Sequence, residues 1–149
     1  MNRVALLRAV NVGGHNQIAM PALCAAFESL LEAGTEKRFG FRVDYMVRTA
    51  KEWSEIIARN PLPGPARANP GRFHVHFLKT APRDGAERAL RAAIKGPEEV
   101  CVGERHAYIV YPLGAGRSKV TPALLERELG GRGTSRNWNT VLKLAALLV

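Results

Sequence analysis

Two short basic segments in the C-terminal third carry the residue types best suited to holding an anion. The first, Gly116-Arg117-Ser118-Lys119, precedes one predicted helix, and the second, Thr134-Ser135-Arg136-Asn137-Trp138-Asn139, is predicted to open the last helix. Helix N-termini present unpaired N–H groups and a partial positive charge, while arginine adds a bidentate fork and lysine a point charge. The candidate binding residues in these segments are Arg117, Ser118, Lys119, Arg136, Asn137 and Asn139.

The same two segments also have a purely structural interpretation, and both interpretations stay open at this stage. Ser118 and Thr121 can cap a helix while the neighbouring cations face water, because a cap uses the same N–H groups as an anion. Trp138 falls in register with Val141 and Leu142, which predicts that its side chain packs in the core.

A third candidate lies near the start of the chain. Residues 3–10 form a short apolar run that is typical of a buried strand, and a loop with a glycine pair follows it. Paired glycines allow close backbone approach to a phosphate, but they also form ordinary turns, and neither a dinucleotide fingerprint nor a P-loop is present. The polar candidates and glycines in this loop are Asn11, Gly13, Gly14, His15 and Asn16.

His74 and His76 share one face of a predicted strand, which is the geometry of a two-histidine metal edge. No acidic or cysteine ligand follows from the spacing, so we predict no metal and no cofactor. Histidine titrates near neutral pH and is able to move a proton. No Ser–His–Asp order and no paired carboxylates support a hydrolase, so the sequence leaves open whether the protein is an enzyme.

Composition indicates an ordinary globular protein with a strongly basic surface. The chain has 149 residues, 46% of them apolar, and a formal net charge of +9, which predicts attraction to polyanions and salt-dependent binding. No apolar run approaches the roughly 20 residues that span a bilayer, and no signal peptide is evident. Cys24 and Cys101 lie far apart in the sequence and are interpreted as reduced, buried thiols. We therefore expect a cytoplasmic protein with no membrane contact.

The pattern of elements predicts one α+β domain over residues 1–149, made of two ferredoxin-like (split βαβ) halves in tandem. The N-terminal half, about residues 1–49, has a strand, two helical pieces that divide at Gly34, and a strand at Val43–Val47. It looks like the split βαβ unit without its central hairpin. The C-terminal half, about 50–149, reads helix–strand–helix–strand–strand–helix–helix, with a loop over 62–71, a cap at Asp84, and helices on one side of the sheet.

Several motifs resemble those of the domain-of-unknown-function 1697 family. Residues 5–16, followed closely by Met20-Pro21, are similar to its N-terminal signature. Residues 116–126 and 134–141 look like its second signature, and shorter matches at 47–49, 60–61 and 74–78 fall in family order. The resemblance implies the fold, whereas it implies no activity, because the family has no assigned chemistry.

The chain departs from the family pattern after the first helix. The family has a hairpin of about two strands there, whereas this chain continues from Glu32-Ala33-Gly34 almost directly into residues 35–41. Losing both strands would leave the first strand of the sheet with an unpaired edge, and such an edge favours a homodimer.

Three functional hypotheses follow. The first is a binding module for an anionic small molecule, a nucleotide or nucleic acid, which uses the basic helix N-termini. The second is an enzyme that acts on a phosphorylated small molecule, with Arg117 and Lys119 on the phosphate. The third is a non-catalytic structural protein that dimerises through a strand edge. The enzyme hypothesis predicts that both signatures line one concave pocket, beside a histidine that moves protons.

Overall fold

The computed structural model describes residues 19–148, and the chain divides into two compact units, residues 1–49 and 50–149. The strand predicted at residues 3–10 and the whole glycine-pair loop lie outside the described residues. That loop contains the candidates Asn11, Gly13, Gly14, His15 and Asn16. None of the helices in residues 19–148 is long and apolar enough to cross a membrane.

In the first unit the described residues form a single long helix, followed by a segment without regular secondary structure. Helix α1 spans Met20–Phe39 and ends at Gly40, whose positive φ of 78° is the left-handed conformation that glycine adopts readily. The predicted division at Gly34 is wrong, because the helix continues through that residue. A single glycine costs a helix only about 1 kcal/mol, which the neighbouring turns offset.

The strand predicted at Val43–Val47 does not form, and these residues belong to no helix or strand. The N–H of Tyr45 donates to Glu32 Oε1 at 3.0 Å, and the N–H of Val47 donates to Glu28 Oε1 at 2.7 Å. Glu28 and Glu32 lie one turn apart on the same face of α1. Their carboxylates can therefore accept from alternate N–H groups of the segment that follows the helix. The alternating pattern therefore did not identify a strand here, and two carboxylates of α1 accept N–H groups of this segment.

The second unit contains the remaining elements. Its helices and strands are α2 (Ala50–Ala58), α3 (Pro63–Ala68), β1 (Phe73–Leu78), α4 (Ala86–Ala93), β2 (Glu99–Val102), β3 (His106–Val110), α5 (Pro122–Leu129), β4 (Gly133–Asn137) and α6 (Trp138–Ala145). The strands form one antiparallel sheet in the order β2-β3-β1-β4. From β1 onward, the order along the chain is strand–helix–strand–strand–helix–strand, followed by α6. The molecule is thus a mixed α+β protein.

Helices cover both faces of the sheet, so the prediction of helices on one side is wrong. Alternate residues of β1 face opposite ways, and each set belongs to a different core. On one face Leu78 packs with Leu90 of α4 and Leu125 of α5. On the other face Phe73, Val75 and Phe77 pack with residues of α2, α3 and α6, namely Ile56, Ala66, Trp138 and Val141.

Two local predictions in the second unit are corrected by backbone geometry. The segment predicted as a loop over 62–71 contains α3, which begins at Pro63, a position where proline costs no hydrogen bond. Gly85, with a φ of 72°, is the N-cap of α4 in place of Asp84. Thr121 caps α5 as predicted, since its side chain accepts from the N–H of Leu124 at 3.2 Å.

Candidate functional site

The first basic segment is a tight loop that follows β3. Arg117 ends a short 3-10 helix, Ala115–Arg117, and both Arg117 and Lys119 are exposed. The Ser118 hydroxyl donates to Glu98 Oε1 and accepts from the N–H of Val120 at 2.9 Å. These bonds occupy the hydroxyl and fix the loop, which leaves the two cations as the groups directed to solvent.

The second basic segment is not the start of a helix along its whole length. Residues 133–137 form β4, and α6 begins only at Trp138. The prediction that this whole segment opens the last helix is therefore wrong, and neither Thr134 nor Ser135 caps α6. Asn137 is the N-cap, with Oδ1 accepting from the N–H and the hydroxyl of Thr140 at 2.9 and 3.0 Å. Arg136 is exposed on an edge strand, and Asn139 is exposed in the first helical turn.

Trp138 takes the structural role that its register predicts. Its side chain is buried and meets the Phe73 ring edge-on, with the centroids 5.1 Å apart. The backbone N–H of Trp138 donates to the Pro70 carbonyl at 3.1 Å, which connects the start of α6 to the chain ahead of β1.

The two basic segments come to the same end of the sheet. Val110, the last residue of β3, pairs with Phe73, the first residue of β1, and with Glu99, the first residue of β2. Asn137, the last residue of β4, pairs with His74 on the other side of β1. The loop after β3 and the end of β4 therefore flank the start of β1.

His74 and Tyr111 connect the two segments across that end. Their rings meet edge-on with centroids 5.0 Å apart, and Nε2 of His74 donates to the Gly71 carbonyl at 3.3 Å. Burial lowers the pKa of His74, although the bond to Gly71 partly opposes that shift. Burial, with the nearby Glu98 carboxylate, raises the pKa of Tyr111 to about 12. At neutral pH both groups are therefore neutral.

Arg72 is a cation at the same end that sequence reasoning missed. It is exposed, and its Nη1 donates to the carbonyl of Pro112, while its own carbonyl accepts from the N–H of Tyr111 at 2.8 Å. In the sequence, Arg72 could be recognised only as a cation just before a predicted strand. The strand order is what places it beside the loop after β3.

His76 lies further along β1 and is buried, with only 1% of its surface exposed. Its Nδ1 lies 2.9 Å from the Ser135 hydroxyl, and its Nε2 has no hydrogen-bond partner among the described residues. Burial lowers the pKa of His76 to about 4, because the imidazolium would lose its hydration. The histidine is thus kept neutral in the sheet.

Within residues 19–148, no group of three or more His, Cys, Asp or Glu side chains is placed so that it could hold a metal ion. His74 and His76 lie on the same face of β1, but the first contacts Tyr111 and the second contacts Ser135. The two rings therefore have separate surroundings, in place of the common ligand sphere that a metal requires.

We expect the buried His76 to make the fold sensitive to acid. The pKa of this group is about 4 in the folded chain and about 6.5 in an unfolded one, so the unfolded state binds the proton first as pH falls. This contribution to the free energy of unfolding is complete above pH 6.5 and decreases by about 2 kcal/mol at pH 5. Urea unfolding at both pH values measures it.

The variant His76→Gln separates this effect from the titration of other groups. Its free energy of unfolding should change less between pH 7 and pH 5 than that of the parent chain. An equal change in both proteins, or an NMR titration midpoint of His76 near 6.5, would contradict the assignment.

One family model matches the chain, in two parts that cover residues 1–31 and 26–108, and its description is protein of unknown function (DUF1697). The two parts overlap within α1, and both basic C-terminal segments lie beyond the matched range. A search of curated proteins and a search of solved structures each found no match. Because the matched residues make up more than half of the sequence, the chain belongs to the DUF1697 family of proteins of unknown function.

Proposed function

We propose that the protein binds an anionic ligand at the end of the sheet where β1 begins. The observation that carries this proposal is the position of the two basic segments, which reach this end from opposite sides of β1. Arg72, Arg117, Lys119 and Arg136 are all exposed around it, and none of them has an acidic partner among the described residues. Unpaired cations at one place raise the local concentration of anions.

The proposed site differs from the helix N-termini that the sequence suggested. At the start of α5, the side chain of Thr121 accepts a hydrogen bond from the N–H of Leu124, and Pro122 has no N–H to offer a ligand. At the start of α6, the side chain of Asn137 accepts a hydrogen bond from the N–H of Thr140. Binding therefore depends on guanidinium and ammonium groups. Asn137 adds its side-chain NH2, because only its Oδ1 is used in the cap.

The ligand that fits best is a phosphate-bearing small molecule such as a nucleotide. Arginine and lysine both bind phosphate, the first through a planar fork. Tyr108 and Tyr111 are both buried, so neither offers an exposed face for stacking on successive bases of a single strand. This favours a nucleotide or another small anion over sequence-specific RNA recognition.

We further propose that the C-terminal unit is a ferredoxin-like, split βαβ unit. The order strand–helix–strand–strand–helix–strand and the sheet order β2-β3-β1-β4 support this assignment. Between α1 and β1 the described residues contain no strand, which supports the proposal that the N-terminal half is shortened.

The double variant Arg117→Ala/Lys119→Ala tests the binding proposal. We expect its affinity for ATP, measured by calorimetry at about 50 mM salt, to fall about tenfold, since each lost cation removes one phosphate contact. The dependence of log affinity on log salt concentration should become shallower by about one to two.

The matched control is Lys51→Ala/Arg88→Ala, which removes the same charge from exposed positions on α2 and α4. If both double variants bind equally well, the affinity comes from net charge alone and the site is wrong. Absence of ATP and phosphate binding by the parent chain at low salt overturns the function itself.

A further inference from the structure

A cavity of about 360 Å³ lies along the outer side of β2, which, among the described residues, is the last strand of the sheet at the end opposite β4. Leu62 and Ile94 form its apolar wall, Arg91 of α4 lines another side, and the strand contributes Glu99, Val100 and Cys101. Its volume lies at the lower end of the range found for ligand pockets, and its lining combines apolar with charged side chains.

The backbone of β2 presents unused hydrogen-bonding groups to this cavity. The N–H of Gly103 donates to the His106 carbonyl across the turn, so odd-numbered residues of the strand direct their N–H and C=O groups to β3. The N–H of Val102 points the other way and donates to Glu87 Oε2 at 2.8 Å. Val100 has the same orientation as Val102, and its N–H and C=O have no partner among the described residues.

The charge around the cavity is opposite to the charge of the whole chain. Glu87, Glu98 and Glu99 lie beside Arg91, whose guanidinium pairs with Glu87 Oε1 at 2.8 Å. Glu99 is exposed and has no ion-pair partner within residues 19–148. The pKa of the Cys101 thiol is raised, first by burial and then by Glu87, with Arg91 opposing and Glu99 adding to the shift. The lining of the cavity therefore carries two carboxylates and one guanidinium, in a protein of net charge +9.

We propose that the outer edge of β2 binds an extended peptide segment that carries a basic side chain. The backbone of the segment pairs with the N–H and C=O of Val100, as an added strand does at an open sheet edge. An apolar side chain enters the cavity against Leu62 and Ile94, and a neighbouring lysine or arginine meets Glu99. Because Glu87 Oε2 already accepts a hydrogen bond from the N–H of Val102, the added segment can pair only with the first part of β2.

The peptides acetyl-Val-Lys-Val-Lys-Val-amide and acetyl-Val-Glu-Val-Glu-Val-amide test this proposal with the intact chain. We expect only the lysine peptide to bind along β2, with a large shift of the Val100 amide signal in a 15N correlation spectrum. A version of the lysine peptide with N-methylated backbone should bind at least threefold more weakly, since it lacks donors for the strand edge.

The variant Glu99→Gln should weaken binding of the lysine peptide about threefold to tenfold. Its matched control is Glu104→Gln, an equal charge change at an exposed position in the turn between β2 and β3. Equal binding of both peptides, an unmoved Val100 amide, or equal effects of the two variants would overturn the proposal. These residues are not those of the proposed anion site, so either proposal can fail without the other.

Discussion

Replacing Trp138 by alanine should lower the free energy of unfolding by about 3–5 kcal/mol, the usual cost of removing a buried large aromatic side chain. Trp138 is only 7% exposed, and its ring packs edge-on against Phe73 in the core between the sheet and α6. Edge-to-face aromatic pairs add stability beyond the area that they bury. Urea unfolding followed by far-ultraviolet circular dichroism at pH 7 measures the change.

The control for this prediction is Leu142→Ala on the same helix. Leu142 is 44% exposed, so we expect its removal to cost less than about 1 kcal/mol. If the two variants lose the same stability, Trp138 does not anchor α6 on the sheet, and the core assigned to this face is wrong.

Gly133→Ala should destabilise the second unit by about 3 kcal/mol through overpacking. A methyl group at Gly133 would collide with Nε2 of the buried His76 and would lie 2.7 Å from the Phe77 carbonyl. The second contact is with backbone in the centre of the sheet, which cannot move without disturbing the ladder between β1 and β4. β4 therefore requires glycine at position 133, because the neighbouring atoms leave no space for a side chain.

Gly116→Ala is the appropriate control, because nothing lies within 4 Å of a methyl group at that position. We expect its free energy of unfolding to stay within about 0.5 kcal/mol of the parent value, or to rise slightly through reduced freedom of the unfolded chain. Thermal and urea unfolding would compare both variants with the parent. A Gly133→Ala chain as stable as the parent would mean that His76 does not occupy this space.

Strands with a strong alternating pattern were predictable from the sequence. Phe73, Val75 and Phe77 alternate with polar residues, and β1 forms there, while the apolar pattern likewise located β2 and β3. The end of α5 was also predictable, since Gly130 adopts the left-handed conformation that glycine favours at a helix terminus.

The edge strand β4 was not predictable in the same way. The residues Gly133–Asn137 include no large apolar side chain, so the alternating apolar pattern that identifies the other strands is missing here. Thr, Ser and Asn are all good helix caps, so local preference did not distinguish a cap at Thr134 from one at Asn137. Thr134 pairs with Phe77 of β1 and is therefore part of a strand, and this pairing joins residues that are far apart in the sequence.

The candidate site was predictable as a set of residues but not as a geometry. The sequence identified Arg117, Lys119 and Asn137, yet it assigned them to two helix starts. Sheet order, which spacing along the chain does not reveal, brings them to either side of β1 and adds Arg72. The buried His76 was recognised only as one of two histidines on a strand face, because its contact with Ser135 depends on the unpredicted β4.

The most direct test of the anion site is an amide chemical-shift map of the intact chain during titration with ATP. If both basic segments flank one ligand, signals of Lys119 and Val120 should move together with those of Asn137 and Asn139, along one binding curve. Shifts confined to a single segment, or separate curves for the two segments, would contradict a common site at the start of β1.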